Sequence, residues 1–127
     1  MRVPLSLMAL LAVVVSTAPV PAAAEGGPAW EACVGLTSTP DERVKACSTV
    51  IDARSETGRR LAGAYCNRGH GLTEKRELDA ALSDLDEAVK LDPTYACAYN
   101  NRGRVYSFKR DYDRAIAEYD QDRKSVV

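Results

Sequence analysis

Residues 64–86 read AYCNRGHGLTEKRELDAALSDLD, and residues 98–120 read AYNNRGRVYSFKRDYDRAIAEYD. Aligned at a spacing of 34, ten of the 23 positions are identical: Ala64/Ala98, Tyr65/Tyr99, Asn67/Asn101, Arg68/Arg102, Gly69/Gly103, Lys75/Lys109, Arg76/Arg110, Asp79/Asp113, Ala81/Ala115 and Asp86/Asp120. Leu78/Tyr112, Leu82/Ile116 and Asp84/Glu118 are alike in kind. Each unit reads as two helices. In the second helix of the first unit, Leu78, Ala81, Leu82, Leu85, Ala88 and Val89 fall on one apolar stripe of 3.6-residue period. Asp92-Pro93 is expected to end that helix and to start the next, with Pro93 at its first position. Gly69 and Gly103 sit inside the first helices, where each costs about 1 kcal/mol relative to Ala. A cost repeated at one place predicts a packing cause, a side chain of the partner helix lying against bare backbone.

These units resemble the tetratricopeptide repeat, whose pattern is W-x2-L-G-x2-Y, then A-x3-F, then P. The first unit supplies Tyr65-x2-Arg68-Gly69-x2-Leu72, Ala81-x3-Leu85 and Pro93; the second supplies Tyr99-x2-Arg102-Gly103-x2-Tyr106 and Ala115-x3-Tyr119. Arg68 and Arg102 depart from the usual apolar residue, both in the same way. Ala-Tyr-x-Asn-Arg-Gly is similar to a subgroup of exported bacterial proteins with this repeat. The resemblance implies an all-α fold of stacked helix-turn-helix hairpins in a short right-handed α-solenoid. It also implies packing roles for Tyr65, Tyr99, Gly69, Gly103, Ala81 and Ala115.

The chain has 127 residues with a net charge of −1, which is no electrostatic footprint for nucleic acid. Its apolar residues are unevenly spread. Among residues 1–24, 17 are Ala, Val, Leu or Met, and Arg2 is the only charge. Arg2, the apolar Leu5–Val15 and the small run Ala22-Ala23-Ala24 after Pro19 and Pro21 read as a signal peptide, cut at Ala24/Glu25. An apolar segment this short spans about 16 Å of a roughly 30 Å bilayer core, so no stable membrane anchor is expected. Residues 25–59 are read as a divergent helical hairpin and linker, 60–95 as the first repeat and 96–127 as the second. In that hairpin Trp30–Leu36 is a short helix, and Thr39-Pro40-Asp41-Glu42 is a capping box opening a helix from Asp41 to Ala53. Arg54–Arg59 is a polar linker. The resulting location is periplasmic or secreted.

An exported chain keeps its cysteines in an oxidising compartment. There are four, Cys33, Cys47, Cys66 and Cys97, which allow three pairings. The same subgroup resemblance suggests Cys33–Cys47, a bridge worth about 3 kcal/mol by loop entropy. For Cys66 and Cys97 three states stay open: a bridge, free thiols, or a small metal- or thiol-based site with His70, which lies at i+4 from Cys66. Bridging requires Cα atoms within about 7 Å, while neighbouring helices stand about 8–10 Å apart.

Catalytic chemistry finds little support. His70 is the single histidine, and no nucleophile, base and orienting group assemble around it in sequence. Thr73 and Ser107 are ordinary helix hydroxyls. Asp84 with Asp86, and Asp111 with Asp113, are two apart and point to different sides of a helix, as a solvated face does. No nucleotide or cofactor motif is present. The expected function is a non-enzymatic protein-interaction scaffold with no cofactor. Carried over from the family, the concave groove for a protein or peptide partner is lined by Gly63, Cys66, His70, Thr73, Cys97, Asn100, Arg104 and Ser107. Arg104 suits a carboxylate and Asn100 a peptide backbone group; the alternative is an ordinary solvated surface. The Lys/Asn set that clamps a carboxyl terminus in some relatives is not matched. After Asp120 the two units diverge: Asp122 stands where Ala88 packs, and no Pro follows. That end reads either as a truncated repeat protein without independent function or as a natural short form whose open end takes a partner or a second copy.

Overall fold

The computed structural model describes residues 27–126, so the expected signal peptide and its cleavage site lie outside the described residues. These fold into six helices and no strand: α1 (Pro28–Val34), α2 (Pro40–Asp52), α3 (Gly58–Glu74), α4 (Leu78–Leu91), α5 (Ala96–Phe108) and α6 (Tyr112–Ser125). Consecutive helices pack as hairpins, and α1 also meets α3, and α3 meets α5, while α2, α4 and α6 bring no Cα atoms within 8 Å of one another among the described residues. First helices crowd together and second helices splay apart, so the stack curves with α1, α3 and α5 on its concave side. The chain is all-α, a stack of three hairpins.

Local chemistry sets the ends of these elements. Thr39 and Glu42 close the expected capping box, the Glu42 amide donating to Thr39 Oγ1 at 3.3 Å and the Thr39 amide to Glu42 Oε2 at 2.9 Å. At both repeat hairpins the chain turns through an arginine with positive φ, Arg76 (64°) and Arg110 (61°). The Glu77 and Asp111 amides reach back five residues to Leu72 and Tyr106, and the Arg76 and Arg110 amides reach back three. That is the Schellman closure, with an arginine where glycine is usual.

Three expectations need correction. Pro93 does not begin a helix: Tyr95 donates to the Asp92 carbonyl at 3.0 Å across a tight turn, and α5 starts at Ala96. Asp92 ties that turn by accepting from both the amide and hydroxyl of Thr94. The polar linker is shorter than Arg54–Arg59, because Gly58 and Arg59 already belong to α3. Within it, Glu56 is buried and held by the Arg60 guanidinium at 2.6 Å. Asp84 is not on a solvated face either: it is 6% exposed and accepts two hydrogen bonds from Arg68, at 2.7 and 2.8 Å.

That last contact recurs. Arg102 grips Glu118 through the same two nitrogens at 3.0 and 2.7 Å, so Asp84/Glu118 is a paired position 16 residues after the arginine. Each arginine also reaches the preceding second helix, Arg68 to Ser48 on α2 at 3.2 Å and Arg102 to Asp86 on α4 at 2.9 Å. Where the repeat usually packs an apolar side chain, this chain places a bidentate ion pair tying three helices together.

Gly69 and Gly103 have the packing cause expected of them. A Cβ on Gly69 would lie 2.8 Å from Leu85 Cγ, and one on Gly103 would lie 2.6 Å from the Tyr119 ring. Leu85 is fully buried in a core shared by Ala62, Cys66, Leu72, Ala81, Ala88, Ala98 and Val105. A second cluster, Cys33, Cys47, Val50 and Ala64, joins α1 and α2 to α3. Gly103→Ala should therefore destabilise the fold by about 1–3 kcal/mol despite its better helix propensity, because the added methyl forces Tyr119 out of place. Urea melts followed by far-UV circular dichroism check this; a variant as stable as the parent would show that Tyr119 yields freely.

Candidate functional site

The concave side is built by α3 and α5, and a covalent link holds them together there. Cys66 and Cys97 are at disulfide distance, with Cα atoms 6.6 Å apart. The approach is closer than ordinary helix spacing because small residues, Ala62 and Ala98, share the buried cluster with Cys66. Asn101 covers the link, its Nδ2 donating to the Cys97 carbonyl at 3.0 Å and standing 3.4 Å from both sulfurs. Asn67, one repeat earlier, donates likewise to the Gly63 carbonyl at 2.9 Å. Cys33 and Cys47 form the second pair, with Cα atoms 4.7 Å apart. A bridged sulfur offers no thiolate to a metal, and no group of three or more His, Cys, Asp or Glu is arranged to hold a metal ion among the described residues.

The eight groove residues separate by depth. Gly63, Cys66 and Thr73 are buried. A Cβ at Gly63 would come within 3.3 Å of the Tyr95 hydroxyl, and Thr73 Oγ1 donates to the Gly69 carbonyl at 2.7 Å. Cys97, His70, Arg104 and Ser107 are half-buried, and Asn100 is exposed. Ser107 Oγ donates to the Gly103 carbonyl at 3.0 Å. Both hydroxyls near His70 by helix position thus bond back to their own helices. The side chains that reach solvent form a band of His70 on α3 and Asn100, Arg104 and Ser107 on α5.

His70 is the centre of a charge network of which sequence spacing carries only the i,i+4 pair with Glu74. Its Nε2 stands 3.5 Å from Glu74 Oε1, and its Nδ1 stands 3.5 Å from Arg104 Nη1. Glu74 is also held by Arg43 of α2 at 2.8 Å, and Arg43 donates to the Ser38 carbonyl at 3.1 Å. Because α1 has only seven residues, it ends before this level, and the α1–α2 loop and Arg43 border the network instead. Burial pushes the His70 pKa down, Glu74 pulls it up, and Arg104 and Arg43 push it down again. Arg104 has no carboxylate partner among the described residues; its other contact is Asn101 Oδ1 at 3.4 Å.

With its pKa lowered by folding, His70 is neutral near pH 7, and the unfolded chain takes up the proton first as pH falls. Stability linked to His70 is thus complete above the unfolded value of about 6.5 and declines below it. The imidazole should titrate below 6.5 in proton NMR, lower still in Glu74→Gln and higher in Arg104→Gln. A midpoint unmoved by both substitutions would remove those two neighbours as causes.

Among the described residues no helix is long and apolar enough to cross a membrane. No curated protein matches the chain. Residues 69–107 match the family profile described as TPR repeat, and residues 97–121 match the one described as Tetratricopeptide repeat. The hairpin stack and the glycine-filled helix crossings agree with these matches: residues 69–121 are similar to the tetratricopeptide repeat.

Proposed function

We propose that this chain is an exported, non-enzymatic scaffold that holds a peptide or protein partner on the concave side of α3 and α5. Tetratricopeptide repeats generally mediate protein–protein interaction, which supports the scaffold reading. The observation that carries the groove assignment is Arg104. Arg68 and Arg102 spend their guanidinium groups on internal carboxylates, whereas Arg104 stands on the concave face without one among the described residues. A partner carboxylate there would replace two long contacts with a charge-assisted bidentate pair. Asn100, exposed one turn away, can donate to and accept from an extended peptide backbone. Deeper members of the groove, Gly63, Cys66 and Thr73, shape its floor.

Two measurements test this. Peptides selected from a random library against the oxidised chain should carry an acidic side chain or a free carboxyl terminus. They should lose about tenfold in affinity for Arg104→Gln, the loss expected for one charged hydrogen-bond pair. Selected peptides that bind the variant equally well would sink the groove assignment. Export is supported by the apolar segment at Leu5–Val15 and by the two cysteine pairs. The secreted product should have an intact mass beginning at Glu25, with no cysteine alkylated unless it is first reduced. A mass that retains Met1 would refute cleavage.

A further inference from the structure

A Lys–Asp pair ties the units at both junctions, and two further contacts tie α4 to α5. Lys75, just past α3, pairs with Asp41 in the first turn of α2 at 2.7 Å; Lys109, just past α5, pairs with Asp79 in the first turn of α4 at 2.5 Å. Arg102 of α5 pairs with Asp86 of α4 at 2.9 Å. The Arg76 guanidinium, in the turn before α4, stacks 3.9 Å from the Phe108 ring at the end of α5. Between these polar contacts, Leu78 and Leu82 of α4 pack on the core that includes Val105 of α5.

On α6 and in the turn before it each of those groups is present again, and none contacts a further helix among the described residues. Asp113 and Asp120 stand at the positions of Asp79 and Asp86. Asp113 makes no ion pair among the described residues, and Asp120 pairs only with Arg123 of its own helix. Arg110 repeats Arg76 in sequence and in left-handed conformation. Tyr112 and Ile116, at the positions of Leu78 and Leu82, are 60% and 59% exposed. Among the described residues the outer face of α6 repeats the α4 docking face with no helix against it.

We infer that this face binds a partner helix that carries an Arg and, seven residues later, a Lys preceded by an aromatic residue. That spacing is read from Arg102, Phe108 and Lys109, which satisfy the matching groups on α4. Asp120 takes the Arg, Asp113 takes the Lys, Arg110 stacks on the aromatic ring, and Tyr112 and Ile116 take the apolar side between them. A second copy fits poorly on charge, because α1, the helix at the other end of the described stack, reads PAWEACV and offers Glu31 and no basic residue. The inference does not depend on the concave groove, which lies on other helices.

A probe is available in the chain itself: a fluorescein-labelled peptide of residues 95–110 with Cys97→Ser, titrated with the oxidised full chain. Its anisotropy should saturate at a Kd of about 10–100 μM, weak because so short a helix must be ordered on binding. Asp113→Asn with Asp120→Asn in the protein should weaken binding about fivefold, as should Arg102→Gln with Lys109→Gln in the peptide. Ile116→Asp should abolish it. These positions are on the exposed face, and unchanged circular dichroism confirms that the variants fold. No saturation up to about 1 mM, or affinity indifferent to the four charge changes, overturns the inference. So does survival of binding in Ile116→Asp, which would place the peptide elsewhere. A chain that sediments as a dimer and reverts to monomer in Ile116→Asp would assign the face to a second copy instead.

Discussion

How near two helices come within a hairpin decides what else can be built on them, and here the limit is the missing Cβ at Gly69 and Gly103. Leu85 and Tyr119 fill the space a methyl would take. Only at that separation does an arginine one residue before the glycine lie alongside the carboxylate 16 residues on, in both units. The ion pair in turn depends on being complete. Asp84 is almost fully enclosed, and a buried charge left without its partner costs several kcal/mol. Close approach, bidentate pairing and reach to the preceding helix are therefore one arrangement repeated twice.

Much of this was legible in the residues. The period of 34, the paired glycines and the capping box at Thr39 carry short-range or self-similar signals, and each has its counterpart in the fold. Depth was harder to read. Asp84 and Asp86 look alike in sequence, and helical geometry correctly separates them; which one is enclosed follows from where Arg68 points, a relation across a hairpin. Glu56 was hidden among the polar residues of a linker because its partner, Arg60, lies in a helix that starts earlier than composition suggests. Pro93 fits a first helical position or the second place of a turn equally well, and Asp92 with Thr94 decides for the turn.

Among the groove positions, the family register gives the helix face and not the distance to solvent. Gly63, Cys66 and Thr73 share that face with His70, yet they sink below the surface where α3 meets the neighbouring first helices. The link between His70, Glu74 and Arg43 could not be foreseen from the repeat, since it arises where the short α1 stops and α2 takes over. His70 and Arg104 do occupy equivalent places in the two units, which is the one clue the alignment offered to their meeting.

The two cysteine pairs also divide the chain by contour length. Cys33–Cys47 and Cys66–Cys97 close loops of 14 and 31 residues, so the α1–α2 loop with the first half of α2, and the whole of α4, lie inside covalent rings. Tension applied at the ends bypasses both rings and falls on the segments outside them: residues 27–32 before the first ring, 48–65 between the rings and 98–126 beyond the second. At roughly 3.3–3.6 Å per extended residue, the described residues of the oxidised protein yield only a little over half the length they could span. Its most extensible part is the end that carries α6. Held from both sides, this scaffold is a short tether with a stiff amino-terminal body and a compliant last hairpin.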